Sequence, residues 1–205
     1  GSGMQHRFDR IDRLPPYVFS EVNEMKASAR AAEIDVIDFG MGNPDTPSPK
    51  HVVQKLIETV SDPRTHRYST SRGIKGLRKA VANYYGRRFG VNLDVDREVI
   101  VTLGSKEGLA NLASAISAPG DVILVPNPSY PIHPYGFIIA GAKVCPVPMG
   151  DEIDLIGEIK RAALSVLPSP RALVLNFPNN PTGAVVDLDF YSEVVDFAKS
   201  IGMYI

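Results

Sequence analysis

The chain has 205 residues, 44% of them hydrophobic, and its 22 Lys+Arg against 23 Asp+Glu give a net charge of −1. This balance argues against nucleic acid and against an acidic membrane surface as partners, and no apolar run approaches the roughly 20 residues that span a bilayer. The single cysteine, Cys145, excludes an internal disulfide and fits a reducing compartment, so we expect a globular cytoplasmic protein of one or two domains.

The N-terminal region combines a helical pattern with a turn-rich loop. Gly1-Ser2-Gly3 resembles a vector-derived remnant, and the residues that follow are too charged for a signal peptide. Apolar positions between Val18 and Ala29 recur at helical spacing, and Ile34–Phe39 is predicted to be a short strand. Gly42, in the next loop, implies a positive φ or a close approach of the backbone. The G-x-G of this loop is not a dinucleotide fingerprint, because the third glycine is missing and prolines prevent the required helix.

Two helices and a strand are predicted between residues 50 and 103. The first helix ends near Pro63, and the second ends at Gly90, a residue type that often follows a helix. The loop between them carries Tyr68, which on its own is an ordinary half-buried loop aromatic. The strand is Val99–Leu103.

The turn Gly104-Ser105-Lys106-Glu107-Gly108 leads from this strand into a further helix. Free backbone N–H groups and the positive end of the helix dipole meet at such a turn, so it can bind an anion. The hydroxyl of Ser105 adds a donor, and Lys106 can contribute through its backbone N–H alone. The turn is not a Walker loop, because no G-K-[ST] is present. A plain capped helix without a ligand is the alternative.

Strands and helices alternate from Val99 onward, which predicts an α/β fold with a mostly parallel, helix-covered sheet. The later strands are predicted at Asp121–Val125, Val144–Val147 and Ala172–Asn176. Tyr130 follows the first of them between two prolines, where its ring can stack on a flat heteroaromatic ligand. The bonds Asn127–Pro128 and Asn180–Pro181 are candidates for the cis form, since only X–Pro bonds adopt it cheaply.

The segment 176–183 reads Asn-Phe-Pro-Asn-Asn-Pro-Thr-Gly and follows an apolar strand. Its prolines fix φ and hold Asn179 and Asn180 in a set direction, and an amide suits a ligand oxygen whose proton moves. The alternative is an Asn/Pro turn with no ligand. The run resembles the P-N-N-P-T-G signature of class I/II aminotransferases, which are enzymes that use pyridoxal 5′-phosphate (PLP).

This resemblance implies the PLP-dependent transferase fold, which is like that of aspartate aminotransferase. Residues 1–47 would hold the remnant, an N-terminal arm and a small-domain segment. Residues 48–205 would form the PLP-binding large domain, up to the first part of its mostly parallel sheet. The resemblance covers the chain from about Leu14 onward but only the first half or so of the family's chain, so we expect the N-terminal portion of a longer enzyme.

The resemblance also assigns roles to the motif residues. The phosphate cradle would be Ser105, Lys106 and Glu107, which match the family's G-[SG]-K-[EQ] turn. Tyr130 would lie against the pyridine ring, and Asn180 would hydrogen-bond the phenolic oxygen of the cofactor next to the substrate.

Two further roles concern the partner subunit and the substrate. Tyr68 matches the family's Y-x4-G-x3-L-R segment, whose Tyr reaches the cofactor phosphate of the neighbouring subunit, so a homodimer is implied. Gly42 would line the substrate pocket through its backbone.

The family's Schiff-base lysine lies in an S-x-S-K segment that none of the present lysines matches. The family's aspartate for the pyridine nitrogen and its arginine for the substrate carboxylate are likewise without a match. We therefore assign no catalytic residue to these 205 residues and expect them to be inactive alone. The four histidines have no metal-ligand spacing, so no metal site is predicted.

The implied activity of the parent is transamination between an amino acid and a 2-oxo acid. Residues 13–19 and 39–45 resemble the bacterial alanine (glutamate–pyruvate) aminotransferase branch. LL-diaminopimelate, aspartate and methionine aminotransferases are alternatives, as is a PLP lyase of the same fold. A catalytically dead paralogue, or the PLP-binding part of a transcription regulator, is the alternative outside enzymes.

Overall fold

The computed structural model describes residues 7–38, 42–130 and 132–205, without the side chain of Ile132. The chain divides into two compact units, one of residues 16–102 and the other of residues 103–205 together with those up to Pro15. The boundary at residue 47 stays a prediction. Phe39, Gly40 and Met41, which belong to the predicted strand and to the alanine-branch segment, lie outside the described residues.

The N-terminal half of the described chain is helical. Its helices are α1 (Asp9–Asp12), α2 (Val18–Ala31), α3 (Lys50–Ser61) and α4 (Lys75–Phe89), with a 3₁₀ turn at Pro63–Thr65. The helical spacing in the sequence is confirmed for α2, α3 and α4. Gly90 ends α4 at φ +67°, and its N–H donates to the carbonyl of Gly86 at 3.1 Å. The left-handed conformation explains the glycine there.

Two predicted strands of this region are wrong. Neither residues 34–38 nor residues 99–103 form a strand. A strand needs a partner for its backbone, and no described strand pairs with either segment. The N–H of Val101 donates instead to the carbonyl of Arg72, a loop residue, at 3.1 Å.

The other unit alternates helices and strands. These elements are α5 (Ser105–Ile116), β1 (Val122–Asn127), α6 (Ile132–Ile139), β2 (Lys143–Pro148), α7 (Leu155–Ser165), β3 (Ala172–Leu173) and α8 (Leu188–Ile201). The strands form a parallel sheet in the order β2-β1-β3. Tyr204 adds a parallel bridge to Ala172. The α/β fold with a parallel sheet is therefore confirmed.

The core lies on both faces of this sheet, since side chains alternate along a strand. On one face, Leu124 packs in a cluster with Ile159 of α7 and Val194 of α8. On the other face, Ile123 packs in a cluster with Ala113 of α5 and Phe137 of α6. Burial on both faces explains the continuous apolar run of β1. None of the described helices is long and apolar enough to cross a membrane.

Candidate cofactor site

Three segments of the second unit meet where the parallel strands end. They are the N-terminus of α5, the residues that follow β1, and the loop 176–184 that follows β3. In open α/β sheets, ligands bind outside the carboxyl ends of the strands. Two contacts connect the segments: the ammonium of Lys106 lies 5.8 Å from the centre of the Tyr130 ring, and the amide of Asn179 donates to the carbonyl of Pro128 at 3.3 Å.

The N-terminus of α5 is open to solvent. Gly104 precedes the helix with φ +87°, which a residue with a side chain rarely adopts. The carboxylate of Glu107 accepts a hydrogen bond from the N–H of Leu103. The hydroxyl of exposed Ser105 has no hydrogen-bond partner among the described residues. The first turn therefore presents one free hydroxyl, that of Ser105, while the carboxylate of Glu107 is turned back to Leu103, which precedes the helix.

Tyr130 is half-buried and is held by the start of α6. The ring of His133 meets it edge-on, with 5.6 Å between ring centres and an angle of 73°. The N–H of His133 also donates to the carbonyl of Tyr130 at 3.1 Å. Burial lowers the pKa of His133 from its usual 6.5, which favours the neutral form of the imidazole beside the tyrosine.

The loop after β3 holds its two asparagines in opposite environments. Asn179 is buried, with 6% of its surface exposed. Asn180 is exposed, and its side chain forms no hydrogen bond with the described part of the chain. The predicted cis bonds Asn127–Pro128 and Asn180–Pro181 are confirmed. Phe177–Pro178 and Leu167–Pro168 are cis as well, which was not predicted.

Tyr68 and Gly42 belong to the other unit. The side chain of Tyr68 is fully exposed. Its loop is fixed at Gly73, where φ is +87° and a Cβ would lie 2.3 Å from Cγ2 of Val101. The buried guanidinium of Arg78 donates to the carbonyl of Gly73 at 3.1 Å, a structural role. Among the described residues, no heavy atom comes within 4 Å of a Cβ placed on Gly42.

Sequence reasoning missed His133 and the anchoring contacts of Asn179. His133 lies three residues after Tyr130, at the start of a helix, and that spacing is the signal that could have found it. The burial of Asn179 and the exposure of Asn180 have no signal in the residues alone, because both are amides in the same proline-bounded run, and the ligand contact was assigned to Asn180 by the family resemblance only. No group of three or more potential metal-binding side chains occurs within residues 7–38, 42–130 and 132–205.

Residues 34–205 match the family model described as Aminotransferase class I and II. The chain is 56% identical over 192 residues to a Rhizobium meliloti protein named as the aminotransferase AatC. This match covers 94% of the present chain and 47% of the relative. It is 51% identical over 195 residues to glutamate-pyruvate aminotransferase AlaC of Escherichia coli, with coverage of 95% and 47%. It is 41% identical over 197 residues to LL-diaminopimelate aminotransferase of Halothermothrix orenii, with coverage of 96% and 51%.

The chain thus spans about half the length of the curated relatives that it matches. Its backbone is similar to that of a single mutant of the aspartate aminotransferase of Thermus thermophilus, with a TM-score of 0.88 and 29% identity. That match covers 98% of this chain and 52% of the other. This likeness confirms the fold expected from the sequence.

Proposed function

The chain belongs to the class I and II aminotransferase family, and from this premise we propose that the protein at its full natural length is a PLP-dependent aminotransferase. The observation that carries the proposal is the meeting of an open helix N-terminus, a half-buried tyrosine and an exposed asparagine at one edge of the sheet. Amino-acid and 2-oxo-acid substrates would be bound at this edge.

The donors at the site fit the chemistry of PLP, which combines a phosphate, a flat ring and a phenolic oxygen. Ser105 has a hydroxyl free for the phosphate, and the backbone N–H groups of Lys106 and Glu107 add to the cradle. Tyr130 would stack on the ring, and Asn180 would donate to the phenolic oxygen. PLP supplies an electron sink for the substrate, while these side chains bind and orient it.

We further propose a homodimer in which Tyr68 serves the site of the neighbouring subunit. Its full exposure, on a loop fixed at Gly73, supports this role. Gly42 would line the substrate pocket, and the open space around it supports a backbone that a substrate can approach.

An amino acid of the alanine or glutamate type is the proposed donor. The identity of 51% to a glutamate-pyruvate aminotransferase, against 41% to an LL-diaminopimelate aminotransferase, supports this choice. Aspartate and methionine aminotransferases, a lyase of the same fold and a dead paralogue remain the alternatives.

A cytoplasmic location completes the proposal. The single cysteine fits a reducing compartment, and cell fractionation of the native host would check the location.

Product analysis tests the activity. The protein at its full natural length should convert alanine and 2-oxoglutarate to pyruvate and glutamate, faster than it consumes LL-diaminopimelate. Ser105→Ala should weaken PLP binding by about tenfold or more, since a hydrogen bond to a charged group contributes about 1.5–3 kcal/mol. Ser28→Ala, an exposed serine on α2, is the control and should bind PLP normally. Ammonia as the product, or no turnover of any amino acid, would exclude transamination.

A further inference from the structure

Asn179 belongs to the loop that carries the proposed phenolic-oxygen contact and is hydrogen-bonded to the loop that carries the proposed ring contact. Its side-chain amide has two N–H donors, and both are used. One donates to the carbonyl of Pro128 at 3.3 Å, and the other donates to the hydroxyl oxygen of Thr182 at 2.7 Å. Only 6% of the surface of Asn179 is exposed, so water cannot replace a lost partner of this amide. Breaking either hydrogen bond is therefore costly.

The backbone of Asn179 closes its own loop. Its N–H donates to the carbonyl of Ala184 at 2.8 Å, and its carbonyl accepts from the N–H of Gly183 at 2.7 Å. The hydroxyl oxygen of Thr182 also accepts from the N–H of Ala184 at 3.2 Å. The turn is therefore a stiff unit, and the bond to Pro128 anchors that unit to the loop after β1.

The two anchored positions are close in sequence to the ligand contacts. Pro128 lies two residues before Tyr130, and Asn179 lies directly before Asn180. A shift of one loop against the other would change the distance between the Tyr130 ring and the Asn180 amide. Sub-ångström placement of such groups matters for binding a rigid ligand.

We propose that Asn179 is a positioning residue, which fixes the loop of Tyr130 against the loop of Asn180 and so sets the spacing of their contacts to the cofactor. The inference rests on the proposed function, because it acts through two proposed cofactor contacts. It also accounts for the residue type. Asparagine reaches both partners with one amide, whereas aspartate has no donor for the carbonyl of Pro128.

The test uses pyridoxine 5′-phosphate, which has the ring, phenolic oxygen and phosphate of PLP but no aldehyde. Its dissociation constant therefore reports noncovalent contacts alone. In the full-length protein, Asn179→Ala should weaken its binding about tenfold, because one lost interaction of roughly 1 kcal/mol is compounded by displacement of two contacts. Asn92→Ala, an exposed asparagine in the other unit, is the matched control and should bind as the wild type does.

A second measurement separates positioning from general stability. In a background that carries both Tyr130→Ala and Asn180→Ala, Asn179→Ala should change the dissociation constant by less than about twofold, because the groups through which it acts are gone. A penalty as large as that in the wild-type background would overturn the proposal. So would unaltered binding by folded Asn179→Ala.

Two further outcomes are distinguishable. If the wild-type protein binds neither PLP nor its analogue, the proposed function fails, and the inference falls with it. If Asn179→Ala does not fold, Asn179→Ser, which is small and polar but too short to reach Pro128, takes its place with the same expectation. Failure of both variants to fold would show a role in folding alone and would refute positioning.

Discussion

The imidazole of His133 packs edge-on against Tyr130, and burial lowers its pKa below 6.5. The unfolded chain then binds a proton more readily than the folded one, so stability is full above about pH 6.5 and falls as the pH drops toward the lower pKa of the folded state. When the pH is lowered from 7.5 to 5, we expect the free energy of unfolding of His133→Gln, measured in urea, to fall less than that of the wild type. His51→Gln, an exposed histidine on α3, controls for the loss of a histidine. Parallel curves for wild type and His133→Gln would contradict this.

Single residues also show which parts of the candidate site could be predicted from the sequence. Ser105 and Tyr130 could be proposed from their motifs because a glycine turn that opens a helix and a proline-bounded aromatic restrict the backbone, although the strand predicted before the turn does not form. The residues alone do not distinguish Asn179 from Asn180, and only the family resemblance singled out Asn180, since burial depends on the loop after β1, which is distant in sequence. His133 was missed for a different reason: it lies only three residues after Tyr130, but their ring contact depends on the helix α6, which was not among the predicted elements.

At the scale of elements, α5 and α6 approach closely at a glycine. A Cβ on Gly136 would lie 3.2 Å from Cα of Ala110 and 3.3 Å from Cβ of Ala113. We expect Gly136→Val to destabilise the protein by about 1–3 kcal/mol through overpacking. Gly76→Ala, in α4, should instead stabilise it by about 0.5–1 kcal/mol, because no heavy atom lies within 4 Å of the new Cβ. Urea midpoints of the full-length protein check both, and a midpoint for Gly136→Val at or above that of the wild type would exclude a close-packed crossing.

The elements that the sequence predicted well are those whose partners are nearby in the chain. Helical periodicity and the glycine that follows α4 are local signals, and β1 and β2 pair with each other across one intervening helix. The segment 99–103 has the apolar composition of a strand but no described strand beside it. The apolar composition of a segment indicates that it can form a strand, whereas the formation of a sheet depends on a partner strand that is distant in sequence.

At the scale of the whole molecule, a groove of about 550 Å³ lies open beside β3. Its lining is mostly apolar and includes Leu112 of α5, which is 52% exposed. We expect the 205-residue chain alone to bind an anilinonaphthalene dye, since an apolar patch of this kind attracts such ligands. Leu112→Lys should reduce the dye fluorescence by about half. Leu164 is 74% exposed and lies outside the groove, so Leu164→Lys is the control and should leave the fluorescence unchanged. Equal loss in both variants would place the dye elsewhere.

The hydrogen bond from Asn179 to Pro128 joins residues 51 positions apart. Closing a contact of such separation costs conformational entropy of the intervening chain, which here includes β2 and α7. The proposed PLP site therefore depends on a non-local contact, and we expect it to be complete only in the folded protein. Ligands that bind the folded form alone stabilise it by mass action. On the proposed function, the concentration of PLP would then influence how much of this protein is folded, as well as how much of it is active.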